Sequence, residues 1–362
     1  MVKLILHSDS ISERGDSVNA EGLSSALKLF KGIESLIVYN LKSETNNQNR
    51  ICELISGGHQ VISYAKPNDL HTIGKTWGAT HSYFMGTGAY SPLWIKNTKK
   101  LTHAVFNNYE PHGDKYNYVS EWLYRKALRN RRRSTTENRI KELRELSGSP
   151  YSLNTKMPIN WVPHIVESKD GDGVAFRKKY NIPFHSKMIG RIGGYNQFDD
   201  TVAQKSVIEL VEKFRDYFFV FINTKKFNSH PRIIHIEYLT NEEKWDFYSA
   251  GDIFIHGRLM GESFGFSICE ALSVGKPIVA PSFHRNFRMD KHHISILNRQ
   301  GLLYKSKKDF KNKVIQQINN PTSPQSLAFL VEQFKPQAVI DIFAERFLDL
   351  NRKVETRYST HQ

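Results

Sequence analysis

Apolar residues gather in short runs separated by longer amphipathic stretches. KLILH (3–7), SLIVYN (35–40), QVISYA (60–65), THSYFM (80–85) and LTHAVF (101–106) have the length and composition of buried strands. Segments of helical spacing lie between some of them, such as AEGLSSALKLF (20–30). A second series follows with KMIGRI (187–192), YFFVFIN (217–223), RIIHI (232–236), DIFIH (252–256) and PIVAP (277–281). Its helices include DDTVAQKSVIELVEKF (199–214) and NEEKWDFYSAG (241–251), and a long amphipathic helix is predicted over 336–355. Strand and helix in alternation predict an α/β protein with parallel sheets and helices on both faces.

The two series are separated by RKALRNRRRSTTENRIKELRE (125–145), strongly basic, and by the turn-forming SGSPYSLNTKMP. The part after Thr136 reads as a solvated helix, and Arg131–Arg133 as a loop or helix end. The expected organisation is two Rossmann-like domains, 1–160 and 161–335, with the segment 336–362 packing back on the first. Ligands of open α/β sheets bind beyond the carboxyl ends of the strands, so the cleft between the domains is the expected site. A chain of 362 residues suits two cores rather than one.

Charge widens the choice of partners. Lys and Arg number 51 against 36 Asp and Glu, a net charge of +15 that attracts polyanions: nucleic acid, anionic lipid or phosphorylated substrates. No helix-turn-helix, RNA-binding sheet motif or zinc-finger spacing accompanies it, so nucleic acid is the less favoured partner. No apolar run reaches the roughly 18 to 20 residues that cross a bilayer. The start, MVKLILHSDS, lacks the features of a signal peptide, and the two cysteines, Cys52 and Cys269, give no disulfide framework. A cytoplasmic protein is expected, with peripheral contact to an anionic membrane or a phosphorylated acceptor as a hypothesis.

The stretch GESFGFSICEALSVGKP (261–277) carries the chemistry. It follows the strand DIFIH and a loop with Gly257 and Gly261, and its helix is predicted to begin near Glu262 and Ser263 and to stop at Gly275 and Pro277. The first amides of such a helix have no internal partners and suit a phosphate. Gly265 permits close backbone approach. Eight residues of helix rise about 12 Å. That separation lets Glu262 face a sugar and Glu270 face ribose hydroxyls at the two ends of a bound diphosphate. The competing reading makes Glu262 a capping residue and Glu270 a surface one.

Glu262, Phe264, Gly265, Glu270, Ala271, Gly275 and Pro277 fall on the pattern E-x-F-G-x-x-x-x-E-A-x-x-x-G-x-P. The stretch resembles the retaining nucleotide-sugar glycosyltransferases of the GT-B fold, family-four type, whose hallmark is two glutamates separated by seven residues. IGRIGGYNQFD resembles the family's strand ending in Gly-Arg, with Gly190 and Arg191 in place. The family's lysine five residues on is Asn196 here; Arg258 is the first candidate to replace it, Lys225 and Lys226 the next. HSDSISERGDSVNAEGL offers Gly15 for the glycine loop of the first domain, without the usual Gly-Gly pair. In PHGD, His112 stands for the histidine that members place near the reacting sugar, an alternative being a histidine that only fixes its loop. WVPHIV (161–166) matches the entry into the second domain. The resemblance is firm from about 187 to 281 and thin before 100.

The resemblance implies transfer of a sugar, a hexose above all, from a nucleotide-diphosphate donor to a hydroxyl acceptor, with retention and no essential metal or other cofactor. It gives Glu262 and His112 catalytic roles. It gives donor contacts to Gly15, Arg191, Asn196, Arg258, Glu262, Ser263, Phe264, Gly265 and Glu270. Base contacts are expected near Lys225, Phe227 or 235–240. Asp170-Gly171-Asp172 reads as a turn rather than a metal site, and the adjacent His292 and His293 do not make one. A nucleic-acid-binding or nucleic-acid-glycosylating protein is the alternative, and a sugar-binding module without catalysis a further one.

Overall fold

The computed structural model describes residues 1–12, 15–130, 137–282 and 290–350. The run Arg131–Arg133 lies outside them. The chain divides into two compact units, one formed by residues up to Pro163 with the segment from Pro336 onward, the other by His164–Lys335.

The first unit holds β1 (Lys3–Ser8), β2 (Glu34–Asn40), β3 (Val61–Tyr64), β4 (His81–Gly86), β5 (Lys99–Ala104), β6 (Lys115–Tyr118) and β7 (Ile159–Trp161). They form one parallel sheet of order β3-β2-β1-β4-β5-β6-β7. Its helices are α1 (Gly15–Lys31), α2 (Gln48–Ser56), α3 (Asp69–Trp77), α4 (Glu121–Asn130) and α5 (Glu137–Ser147). The order reverses direction between β1 and β4. Right-handed crossovers therefore put α1 and α2 on one face and α3 on the other. Leu70 of α3 packs with Ile5, Leu36, Val38 and Phe84 of the sheet.

The second unit holds α6 (Gly173–Lys179), β8 (Lys187–Ile192), α7 (Thr201–Lys213), β9 (Tyr217–Ile222), β10 (Ile233–Ile236), α8 (Asn241–Ala250) and β11 (Ile253–Ile255). Then come β12 (Gly261–Glu262), α9 (Phe266–Ser273), β13 (Ile278–Pro281), β14 (Asp290–Lys291), α10 (His292–Leu297), β15 (Leu303–Tyr304), α11 (Lys307–Asn319) and α12 (Pro324–Phe329). The main sheet runs β10-β9-β8-β11-β13-β15, all parallel, and β12 pairs with β14 alone. Phe219, Phe221, Phe247 and Phe254 are fully buried here. Each such ring contributes about 2 kcal/mol by leaving water.

The last helix, α13 (Pro336–Arg346), belongs to the first unit and packs on α1. Phe343 and Phe347 lie against Tyr83, ring centroids 5.8 Å away in both cases. Lys31 pairs with Asp341 at 2.8 Å. The helix predicted over 336–355 is thus shorter: it stops at Arg346, Asp349 takes φ +56°, and residues past 350 lie outside the description. The strand expected at 101–106 starts two residues earlier, at Lys99.

Candidate functional site

The sheet of the second unit reverses direction between β8 and β11. Ligands of open parallel sheets bind beyond the carboxyl ends of strands at such a switch point. Phe254 pairs with Gly190 across these strands, so Arg191 stands one residue past the pair and His256 two. Both side chains are buried.

Arg191 is 1% exposed. Its Nη1 donates to Thr224 Oγ1 at 2.5 Å and to the Asn223 carbonyl at 3.3 Å; Nη2 donates to the Gly194 carbonyl at 3.2 Å. Its Nε finds no acceptor. Burial brings its pKa down to about 10, against the pull of the nearby Glu262 charge and with the push of Arg258. The guanidinium stays charged at neutral pH, held by carbonyls and a hydroxyl and, among the described residues, by no carboxylate in direct contact.

Glu262 lies outside the helix, in β12. The helix begins at Phe266, four residues later than Glu262, because Gly265 caps it with φ +90°. The expected start at 262–263 is therefore wrong, and so is the notion that a continuous helix separates the two glutamates. Ile268 and Cys269 donate to the Gly265 carbonyl, which leaves the amides of Phe266 and Ser267 as the open first-turn donors. Gly261, at φ +69°, brings the chain against β14 so closely that a Cβ would sit 2.0 Å from the Asp290 carbonyl oxygen. Glu262 then pairs with Lys291 in the short strand ladder.

Each carboxylate oxygen of Glu262 faces one basic side chain. Oε2 accepts from Arg258 Nη1 at 3.1 Å, and Oε1 lies 3.1 Å from His256 Nε2. The His256 approach is off-axis for a hydrogen bond. It is an electrostatic contact: both ring nitrogens of His256 lack a hydrogen-bond partner, as does Arg258 Nε. Burial opposes the Glu262 charge, yet the His256 ring, Arg258 and His293 together hold its pKa at about 2. Arg258, expected to replace the missing lysine, is bound to Glu262 through one arm and has Nε to spare.

Glu270 is also buried, which removes the surface reading. Lys244 Nζ of α8 donates to its Oε1 at 2.6 Å and Tyr248 OH to its Oε2 at 3.0 Å. Burial and the Glu270 charge push the Tyr248 phenol well above its usual value, so the proton stays on tyrosine. Ser263 is half-buried in the loop between. Phe264 is 2% exposed, its ring 5.0 Å from His164, 5.5 Å from His292 and 5.1 Å from Phe334. Its side chain packs, and only its backbone could meet a ligand.

Asn196 lines a hollow of about 340 Å³ with Tyr195, Asp199, Lys225, Lys226 and Phe227. The Lys225 amide donates to the Tyr195 carbonyl at 2.8 Å, tying the loops after β8 and β9 together. Two lysines therefore stand beside the position where the expected one is missing. A larger hollow of about 760 Å³ lies at the amino ends of β11 and β13, lined by Asp172, Arg177, Asp246, Asp252 and Lys276. Size does not make it the site. Asp172 caps α6, accepting from Ala175 N at 2.9 Å, and Arg177 is spent on the carbonyls of Ala250, Pro183 and Ser186 and on Asp252. Asp170-Gly171-Asp172 is thus a helix-capping turn. Among the described residues no three His, Cys, Asp or Glu side chains are grouped to hold a metal.

His112 does not fit the expected catalytic role. It is fully buried, donates through Nδ1 to the Glu110 carbonyl at 2.7 Å, and accepts at Nε2 from Ser91 N at 3.2 Å. Burial and the Lys100 charge hold its pKa at about 3. Both nitrogens are engaged, so it fixes its loop. Gly15 is the first residue of α1, in the first unit. His292 and His293 are buried on α10, bonded to the carbonyls of Phe264 and Pro281. Sequence reasoning missed His256, Lys244 and Tyr248. The first read as the end of a strand, and the other two gave only an i, i+4 pair on a helix.

Residues 223–329 match the family described as glycosyl transferases group 1. No curated protein matches the sequence. Among solved structures, a glycosyltransferase from Rickettsia africae is 13% identical with a TM-score of 0.60, over 95% of this chain and 98% of that one. Alr3699/HepE of Anabaena, in complex with UDP-glucose, is 11% identical with a TM-score of 0.61, over 97% and 100%. A putative UDP-N-acetylglucosamine 2-epimerase from Listeria monocytogenes is 12% identical with a TM-score of 0.58, over 97% and 98%. The fold is the two-sheet GT-B architecture. The sequence match, confined to residues 223–329 within the second unit, makes that part of the chain similar to the glycosyl transferases group 1.

Proposed function

We propose that the protein transfers a sugar from a nucleotide-diphosphate donor to a hydroxyl acceptor with retention at the anomeric carbon, and that it needs no metal to do so. The observation that carries this reading is the group at the switch point. Two arginines, each with Nε unpartnered, flank a buried carboxylate beside the open amides of a helix. The diphosphate lies over the Phe266 and Ser267 amides. Arg191 and Arg258 bind the charge that grows on it as the glycosidic bond breaks. Glu262 holds sugar hydroxyls or supports positive charge at the anomeric carbon. Its oxygens already face Arg258 and His256, which suits an electrostatic role better than a covalent one. Glu270, one helical turn inside α9, accepts from the ribose hydroxyls. Lys225 and Lys226 extend the positive surface towards the nucleotide, with the Asn196 amide beside them. UDP is the first nucleotide to test, because Alr3699/HepE was solved with UDP and with UDP-glucose.

Epimerisation of a nucleotide sugar is a second reading, favoured by structural neighbours described as UDP-N-acetylglucosamine 2-epimerases. One experiment separates them. UDP-, GDP- and ADP-sugars are incubated with the protein and with Glu262→Ala, with and without EDTA. Nucleotide release and the sugar products are then read by NMR. With water as the acceptor in this assay, transfer gives free sugar together with free nucleoside diphosphate, both lost in Glu262→Ala and insensitive to EDTA. Epimerisation gives a new nucleotide sugar with no release. Neither product from any donor rules out both.

The net charge of +15 suits an acceptor at an anionic membrane or one bearing phosphate. Among the described residues no helix is long and apolar enough to cross a membrane. Absence of sedimentation with acidic liposomes removes the membrane version. Tight, steeply salt-dependent binding to DNA without affinity for UDP favours the nucleic-acid alternative.

A further inference from the structure

We propose that His256 is the positioning residue for Glu262, holding its carboxylate for the sugar while Arg258 turns to the diphosphate. This rests on the glycosyl-transfer reading above. His256 follows β11 directly, and its backbone is fixed from two sides. Its N–H donates to the Val279 carbonyl at 2.8 Å, and its carbonyl accepts from Tyr304 OH at 3.4 Å. The ring is 3% exposed and both nitrogens lack hydrogen-bond partners. A buried imidazole left in that state costs stability, and packing alone gives no reason to keep it. Its Nε2 lies 3.1 Å from Glu262 Oε1.

At 3.1 Å the two atoms are already within hydrogen-bond distance, and only their alignment is lacking. Active-site hydrogen bonds often tighten in this way when substrate binds. The two oxygens of Glu262 are divided between partners of different freedom. Arg258 sits on a loop and has donors left over; His256 sits at a strand end with its backbone held on both sides. A donor diphosphate that recruits Arg258 thus leaves Glu262 with one fixed partner. The charged and titratable groups around the pair include Arg258, Arg191 on β8, Cys269 on α9, His293 on α10, whose ring centroid is 6.3 Å from that of His256, and Asp290 and Lys291 on β14.

The test uses His256→Ala and His256→Gln, the second of similar size and able to place an amide N–H near the Nε2 position. Donor kinetics are measured on each. The Glu262 carboxyl is followed separately by NMR titration of glutamate-labelled protein without donor, assigned with Glu262→Gln. Expected for His256→Ala is a kcat lower by roughly 10- to 100-fold, with the donor KM within about twofold. Glu262 should titrate at higher pH than in the wild type, and an acid limb should appear in the kcat profile. His256→Gln should recover most of the kcat. A wild-type kcat in His256→Ala, a loss confined to KM, or an unmoved Glu262 titration overturns the proposal. Should the wild type transfer sugar from no donor, the glycosyl-transfer reading fails by itself. The Glu262 titration then still decides whether His256 governs that carboxylate, and no shift there overturns the pairing as well.

Discussion

Lys244 of α8 and Glu270 of α9 form a buried ion pair, Nζ to Oε1 2.6 Å, and Tyr248 closes the other oxygen at 3.0 Å. The second glutamate of the motif is thus held ready before any ligand arrives. Glu270→Ala is expected to raise the donor KM by about 10- to 100-fold, the worth of one or two hydrogen bonds to a charged group. kcat should change much less, because the role proposed for Glu270 is at the ribose and away from the reacting carbon. Lys244 then loses its carboxylate, and stability should fall by about 2–3 kcal/mol. Steady-state kinetics and denaturant midpoints check both. An unchanged KM removes Glu270 from the donor site.

Arg191→Ala is expected to lower kcat by about 100- to 1,000-fold, as when one preorganised donor to a developing anion is lost. Arg191→Lys should fall between. It keeps a charge, but one ammonium cannot serve the Thr224 hydroxyl and the carbonyls of Asn223 and Gly194 and also reach a phosphate as a planar fork does. Equal activity of the alanine and lysine variants would count against a role for the charge.

Acid sensitivity should trace to Glu262. Its pKa of about 2 in the fold lies below the unfolded carboxylate value of about 4.3. A depressed value means that the group contributes stability fully above about pH 5, and that the contribution is lost as pH falls towards 2. The gap corresponds to about 3 kcal/mol. Glu262→Gln should therefore be less stable than wild type at pH 7, and the difference should shrink between pH 5 and pH 3. Urea melts at a series of pH values measure it. A difference constant with pH points to packing rather than charge.

The main strands were legible because parallel strands buried on both faces must be continuously apolar. KMIGRI coincides with β8 residue for residue. β7, β12, β14 and β15 have only two or three residues each and carry no periodicity to read. β5 begins before the expected run because Lys100 looks polar yet is buried, its Nζ on the Ser91 carbonyl and near the rings of Phe84 and Tyr151. The two glutamates stand out by their spacing, and Arg191 by the resemblance of its segment to a strand ending in Gly-Arg. The start of α9 was not, because a left-handed glycine cap and an ordinary loop glycine look alike in sequence. His112 misled for a related reason: burial decides what a histidine does, and burial in a loop has no pattern.

Two glycines with nearly the same backbone angle should respond differently to alanine. Gly261 has φ +69° and Gly301 φ +67°. The strain of a left-handed alanine, about 1–2 kcal/mol, applies to both. At Gly301 nothing lies within 4 Å of the added Cβ, whereas at Gly261 it would lie 2.0 Å from the Asp290 carbonyl oxygen. That oxygen is backbone and cannot swing aside, so the β12–β14 ladder has to open. Glu262, paired with Lys291 in that ladder, then leaves Arg258 and His256. Gly301→Ala is expected to lose about 1 kcal/mol and keep its activity. Gly261→Ala should lose about 3 kcal/mol or more and lower kcat at least tenfold. Thermal melts and donor turnover on both variants decide the matter. A Gly261→Ala protein as active as Gly301→Ala means that something other than the short ladder holds Glu262 in place.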